Sequence, residues 1–388
     1  MRQLKFKSVV SMLVAAAYFA SMASSAQACT ALAITDTNGL GYSGKTLEYS
    51  QPMPLLMEYI PAGTKMVSLT PSGADGMSFV TKYAILGGGM KAVKNAHQDT
   101  MVEAANDQGL SVSSNEMDGS RAPGNLGTDN SKILAATDMA NWVLGNHRTV
   151  AEVKQALESG DIKVWLPKIP FMGGAEIPLH YVVFDKTGAG IVIEYMDGVQ
   201  TVYDNPVGAA TNLPEFSWHL KNLNNYAQLT NVDKNSGAFK NLKVNAPDSG
   251  NALANLPSSQ ISADRFVKAA FYVNYVRKAT NPDQAVITLA HILNNFDRPY
   301  DLSVDLPSGS GGREGMQSGK KSSEVSIFTW MNDKGRNRYY LRTIDSMNFS
   351  TFDMTKLASL KSIVKVPFTS VNDSNLDGTK MLLDAASK

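Results

Sequence analysis

The single cysteine of this 388-residue chain, Cys29, follows directly on Ala26-Gln27-Ala28. Upstream lie the basic residues Arg2, Lys5 and Lys7 and an apolar run from Val9 to Ala20. A basic start, an apolar stretch of about 12 residues and an A-x-A stop have the pattern of an export signal cleaved after Ala28, and the stretch is too short for a membrane span. Cleavage there makes Cys29 the first residue of the mature chain. A cysteine that is also the N-terminus carries a thiol nucleophile and an α-amine base on one residue. One cysteine cannot form an internal disulfide, and an unpaired thiol in an oxidising compartment is either buried and inert or chemically employed. Lipid attachment is the other use of a cysteine at this place, although Ala26 stands where a lipid-attachment box usually has Leu.

Removing residues 1–28 takes away three basic residues and no acidic one, so the net charge moves from +1 to −2. That balance lacks the basic excess of a nucleic-acid-binding surface, and no nucleic-acid partner is expected. After Ala20 no apolar run approaches the roughly 20 residues that span a bilayer. The expected product is an exported protein, periplasmic or secreted, with residues 29–388 forming a single domain.

From Thr30 to Asp36 apolar residues alternate, and Thr37-Asn38-Gly39 supplies a turn, so the mature chain is predicted to open with a hairpin. That strand pins the terminus inside a sheet. Further strands are predicted at Phe79–Leu86 and Gly109–Asn115, and a meander at 180–185, 190–196 and 199–203 with Asp197-Gly198 in its second turn. Val325–Met331 and Tyr339–Thr343 read as strands near the C-terminus. Helical spacing predicts helices at Lys132–Gly145, at 150–157 behind the cap Thr149, and at Phe216–Tyr226, Ala263–Ala279 and Asp283–Asn295. The Gly-Ser-rich run 308–319 reads as a mobile surface loop. Antiparallel strands interrupted by paired helices indicate a layered α+β fold, sheet facing sheet with helices outside.

The five histidines, His97, His147, His180, His219 and His291, show no metal-ligand spacing and read as surface or polar-core residues. There is no G-x-S-x-G elbow and no P-loop. Ser318-Gly319-Lys320-Lys321 matches S-x-x-K by chance, without companion motifs. No metal and no cofactor is expected. Cys29 therefore needs a base, which a free α-amine with a pKa near 8 can supply, and donors for a developing oxyanion.

Cys29-Thr30 followed by Gly44-Lys45-Thr46-Leu47-Glu48 resembles the start of the choloylglycine hydrolases, the family of bile salt hydrolases and penicillin V acylases. The resemblance continues in order through 81–87, Asn106-Asp107-Gln108-Gly109-Leu110, Ala210-Thr211-Asn212-Leu213-Pro214, 218–220, 222–224, Ser262-Ala263-Asp264-Arg265-Phe266 and 291–295. It implies the N-terminal-nucleophile hydrolase fold, a four-layer αββα sandwich of antiparallel sheets flanked by helices. It also implies hydrolysis of a linear, non-peptide C–N amide with an apolar acyl group, such as a conjugated bile salt, penicillin V or an N-acyl-homoserine lactone, and a homo-oligomer, tetramer or dimer. By the same resemblance Cys29 is nucleophile and acid/base, Glu48 holds the amine, Asn212 supplies an oxyanion-hole amide and Arg265 steadies the site. Read without it, Asn212 is a turn residue before Pro214 and Arg265 a surface charge on a helix.

Two positions depart from the family pattern. Lys45 stands where arginine is usual, keeping the charge and losing the planar fork. The second oxyanion position falls on Glu116, and a one-residue adjustment puts Asn115 there instead. Tyr49, Met53, Leu56, Met57 and Phe171 lie in segments that could line an acyl pocket or simply fill the core. The alternative from another class is a non-catalytic periplasmic or lipid-anchored ligand-binding protein, with Lys45 and Glu116 marking a decayed site.

Overall fold

The computed structural model describes residues 28–169, 174–306, 322–371 and 377–387. The opening strand β1 (Ala28–Thr35) turns into β2 (Gly41–Tyr49) through a loop held by its own first residue. Asp36 Oδ1 accepts from the amides of Asn38 and Leu40 at 2.8 and 2.9 Å, and Gly39 takes the left-handed φ of +78° that the turn requires. The turn sets the register, which is uninterrupted from Thr35 opposite Gly41 back to Cys29 opposite Leu47 and Ala28 opposite Glu48. A strand alternates its side chains between two faces. Cys29, Ala31 and Ala33 accordingly face the second sheet, while Leu32 and Ile34 face helices.

The first sheet has six strands in the order 209–210, β1, β2, Val325–Asp333, Arg338–Thr343 and Ser350–Asp353. The second has eight: Val199–Asp204, Gly190–Met196, Leu179–Phe184, Ser111–Glu116, Thr100–Asn106, Ile85–Met90, Leu56–Ile60 and Val364–Pro367. Neighbouring strands in both sheets are antiparallel. Apolar side chains such as Leu47, Tyr59, Leu86 and Trp330 fill the space between the sheets. Helices Ser262–Tyr275 and Pro282–Leu293 cover the outer face of the first sheet. Helices Met139–Asn146 and Val150–Glu158 cover that of the second. The molecule is an αββα sandwich of the α+β class, as the alternation of strands and paired helices indicates.

Local chemistry moves several element boundaries. The predicted strand Phe79–Leu86 is two strands, Asp75–Val80 in a small sheet and Ile85–Met90 in the large one. At the break the Lys82 amide donates to the Gly145 carbonyl and Thr81 Oγ1 to the Pro61 carbonyl. The predicted helix Lys132–Gly145 begins only at Met139. Ile133–Ala135 pairs in parallel with Lys163–Trp165, and the buried Asp138 carboxylate accepts from Ser68 Oγ and Gln98 Nε2 at the head of the helix. Helices Ser262–Tyr275 and Pro282–Leu293 stop short of Ala279 and Asn295, the second closing with a single 3-10 turn, Asn294–Phe296. The Gly-Ser-rich run 308–319 lies outside the described residues.

Gly44 is a point of close approach between β2 and its surroundings. A Cβ there would stand 2.6 Å from Leu293 Cδ1 and 2.8 Å from the Trp330 carbonyl oxygen. A backbone oxygen cannot step aside without breaking the ladder, so Gly44→Ala is expected to destabilise the fold by about 1–3 kcal/mol, read as a lowered urea midpoint.

Candidate active site

Cys29 is fully buried at the head of β1, its thiol on the inter-sheet side and its backbone held by three other segments. The Cys29 amide donates to Asn212 Oδ1 at 2.9 Å. Arg265 Nη2 donates to the same oxygen at 2.8 Å, and Asn212 Nδ2 donates to the Glu116 carbonyl at 2.8 Å. Two donors on the oxygen and one acceptor on the nitrogen fix which way the amide points. Asn212 therefore presents its carbonyl oxygen, and not its N–H, to the Cys29 nitrogen. Thr211 Oγ1, the Asn212 amide and Ser262 Oγ join in a further set of hydrogen bonds that anchors this loop to the start of helix Ser262–Tyr275.

Arg265 projects from that helix and is buried, not surface-exposed. Its Nη1 donates to the Cys29 carbonyl at 2.5 Å and to Thr30 Oγ1 at 2.8 Å, and its Nε donates to the Gln260 carbonyl at 2.9 Å. Burial pulls the guanidinium down to about 10, against the opposing pull of Glu48, so it keeps its charge at neutral pH. Glu48 is buried beside it, opposite Ala28 in the strand register. Ser326 Oγ donates to Glu48 Oε1 at 3.1 Å, while Oε2 has no partner with hydrogen-bond geometry. Burial pushes the Glu48 carboxyl up, opposed by Arg265 and Arg298. An unfilled, buried carboxylate oxygen next to the Ala28–Cys29 junction is a ready acceptor for a cation.

Lys45 is two residues from Leu47 on β2 and shares the thiol's face of the sheet. Its ammonium crosses to the second sheet and donates to the carbonyls of Val102 at 3.0 Å and Ser114 at 2.6 Å. Burial pushes the Cys29 thiol up to about 11; Lys45 is the strongest opposing influence, with Arg265 behind it, while Glu48 and Glu116 add to the rise. With Ala28 attached the thiol is protonated at neutral pH. Asn115 is buried on Ser111–Glu116, with Nδ2 donating to the Thr211 carbonyl at 3.2 Å and Oδ1 without a partner. Glu116 enters through both ends: its carbonyl anchors Asn212 and its carboxylate bears on the thiol. The six positions singled out from the sequence, Cys29, Lys45, Glu48, Asn115, Asn212 and Arg265, thus converge on the head of β1.

Two clefts meet beside the site. One, a narrow recess of about 40 Å³, is lined by Leu47, Met53, Met90, Val102, Glu116 and Leu179. The other, about 310 Å³, includes Tyr49, Met53, Tyr300, Val325 and Ile327. Tyr49 and Met53 therefore line clefts, Met57 is wholly in the core, and Leu56 lines neither cleft. Phe171 lies outside the described residues. A larger cavity of about 590 Å³ opens at the far end of β1 beside Ile34, Val207 and Tyr275 and contains none of the site residues.

The sequence reading missed the support around Asn212. His219 Nε2 donates to the Asn212 carbonyl at 2.8 Å, and its ring stacks on Phe266 at 4.6 Å. Burial pulls His219 down to about 4. Its folded pKa lies below the ordinary value near 6.5, so its contribution to stability is present above pH 6.5 and is lost as pH falls through 4. His219→Gln is expected to remove about 2–3 kcal/mol of the stability lost between pH 6.5 and 4, measured by urea unfolding at the two pH values. Among the described residues no group of His, Cys, Asp or Glu could hold a metal ion, and no helix is long and apolar enough to cross a membrane.

Two facing antiparallel sheets with outer helices, and a buried cysteine at the head of the strand that opens the first sheet, define a hydrolase of the N-terminal-nucleophile fold. The model of the linear amide C–N hydrolases, choloylglycine hydrolase family, matches residues 29–365, and the chain belongs to that family. It is 27% identical over 336 residues to a bile salt hydrolase/transferase of Clostridium perfringens, covering 84% of this chain and 93% of that protein. The crystal structure of a mutant conjugated bile acid hydrolase from Clostridium perfringens superposes with a TM-score of 0.71 at 23% identity, covering 88% of this chain and 96% of that one. Penicillin V acylase from Agrobacterium tumefaciens gives a TM-score of 0.66 at 20% identity, covering 87% and 90%. These two superpositions establish the shared fold. The family match makes this chain a linear amide C–N hydrolase.

Proposed function

We propose that residues 1–28 are an export signal removed after Ala28, and that the mature protein acts outside the cytoplasm through a thioester on Cys29. The carrying observation is the hydrogen bond from the Cys29 amide to Asn212 Oδ1, made while Arg265 grips the Cys29 carbonyl. That arrangement orients a backbone nitrogen that an ordinary strand residue would use in the ladder. The family match, which starts at Cys29, supports the same start of the mature chain.

Cleavage turns the Cys29 amide into an α-amine beside Asn212 Oδ1 and the unfilled Glu48 Oε2. The amine takes the thiol proton, and the Lys45 ammonium stabilises the thiolate from the inter-sheet side. Thiolate attack on the amide carbonyl carbon forms a C–S bond and an oxyanion. Asn115 Nδ2, which spends one hydrogen on the Thr211 carbonyl, has a second to offer that oxyanion. Collapse breaks the C–N bond as the ammonium returns the proton to the leaving nitrogen. Water then attacks the thioester, the amine takes its proton, and the acid and free thiol are released. The cleft around Tyr49, Met53 and Ile327 suits an apolar acyl group.

Hydrolysis by protein beginning at Cys29 should be measured on glycocholate, taurocholate, penicillin V and a long-chain acyl-homoserine lactone, beside subcellular fractionation of the full chain. Turnover of one of these by extracytoplasmic protein is the expected result. A correctly processed, folded protein that binds these compounds without turnover, or one carrying a lipid on Cys29 by intact mass, would overturn the proposal.

A further inference from the structure

Behind the nucleophile a second buried carboxylate, Glu103, sits between the sheets with no part in the reaction steps above. It belongs to the second sheet, where it accepts a hydrogen bond from Ser113 Oγ, and it accepts another from Asn332 Nδ2 of the first sheet at 3.3 Å. Lys45 Nζ is bonded to the carbonyls of Val102 and Ser114, the residues adjacent in sequence to Glu103 and Ser113. The Lys45 ammonium is thus set against the same pair of strands, one rung along from the Glu103–Ser113 pair. On its far side Asn332 Nδ2 also donates to Ser43 Oγ at 3.0 Å, Ser43 Oγ lies 3.0 Å from Ser111 Oγ, and Lys334 Nζ donates to Ser111 Oγ at 2.6 Å. The result is a polar chain that runs from Glu103 through Asn332, Ser43 and Ser111 to the buried Lys334, with Glu103 at the end nearer Lys45.

We propose that Glu103 is a positioning residue for the nucleophile: it shares the Lys45 ammonium with Cys29 and so sets how much of that positive charge reaches the thiol. The inference rests on Cys29 being the nucleophile. Lys45 is the strongest charge acting on Glu103 and also the strongest acting on Cys29. Lys334 is the other charge facing Glu103; Glu48, Arg265 and Glu116 are the others facing Cys29. Burial pushes the Glu103 carboxyl up to about 7, so its charge changes near neutral pH. Below that pH the neutral acid leaves Lys45 acting on the thiol alone. Above it the carboxylate offsets Lys45 and the thiolate becomes harder to form.

The test compares protein beginning at Cys29 with its E103Q variant, following the alkylation rate by iodoacetamide across about pH 5 to 10. Glutamine keeps the shape and removes the charge. The thiol pKa should fall by about one unit, and the acid limb of kcat/KM should move with it. In a K45M background the same substitution should shift nothing, because Glu103 acts through Lys45. S113A, which removes a donor to the carboxylate and favours its neutral form, should give a smaller shift in the same direction, and it carries the test if E103Q fails to fold. An unchanged or raised thiol pKa, or a shift that persists beside K45M, overturns the inference. Because alkylation needs no substrate, a shift without amide turnover would count against the proposed reaction and leave the coupling standing.

Discussion

Serine in place of Cys29, or a single residue left ahead of it, is expected to lower kcat/KM by about three orders of magnitude or more. The two changes strike different halves of one device. Serine keeps the size of the side chain, yet its hydroxyl is far less acidic than a thiol and Lys45 cannot stabilise it as an anion at neutral pH. An added residue keeps the thiol and replaces the basic amine with an amide nitrogen that cannot accept a proton. With Ala28 in place that nitrogen already donates to Asn212 Oδ1, and the thiol stands at about 11. The extended form should therefore fold normally and bind substrate while failing at the chemical step, a loss in kcat with KM little changed.

Arg265→Met is expected to lower stability by about 3–5 kcal/mol and kcat/KM by about a hundredfold or more. Four acceptors each lose a donor together: the carbonyls of Cys29 and Gln260, Thr30 Oγ1 and Asn212 Oδ1, of which Gln260 keeps Arg298 and Asn212 keeps the Cys29 amide. Glu48 also loses one of the two cations that oppose its desolvation, which leaves a buried carboxylate poorly compensated. Arg265→Lys should recover part of the stability and less of the activity. A single ammonium restores charge beside Glu48 but cannot span the fork from Thr30 to Gln260. Calorimetric melting and kcat/KM on the same preparations separate the two effects.

Much of the site is local in the chain, and that part was legible. Cys29 next to a cleavage pattern, and Lys45 and Glu48 one hairpin away, fall into register because the Asp36 turn is short and strongly marked. Arg265 and Asn212 are more than 180 residues distant, and their own sequence neighbourhoods suggest a helix surface and a turn. Only the ordered resemblance to a family brought them to the site. The direction of the Asn212 amide was not legible, since it depends on Arg265, Cys29 and the Glu116 carbonyl meeting in space. The meander 180–203 and its Asp197-Gly198 turn were plain from alternation. Thr100–Asn106 was not, because Ala104-Ala105, opposite Gly87 and Leu86, blurs its alternation. The start of helix Met139–Asn146 was misplaced because Ser68 and Gln98, distant in sequence, hold Asp138 at its head. Glu103 gave no signal at all: a lone glutamate in a strand, significant only through Lys45 and Asn332 on the facing sheet.

The most direct test of Cys29 as an acylated N-terminal nucleophile is the mass of its peptide after rapid acid quench during turnover. The expected N-terminal peptide begins at Cys29 and carries the acyl group of the substrate as a thioester that hydroxylamine removes. An N-terminal peptide that never gains acyl mass under conditions of steady turnover would contradict the account.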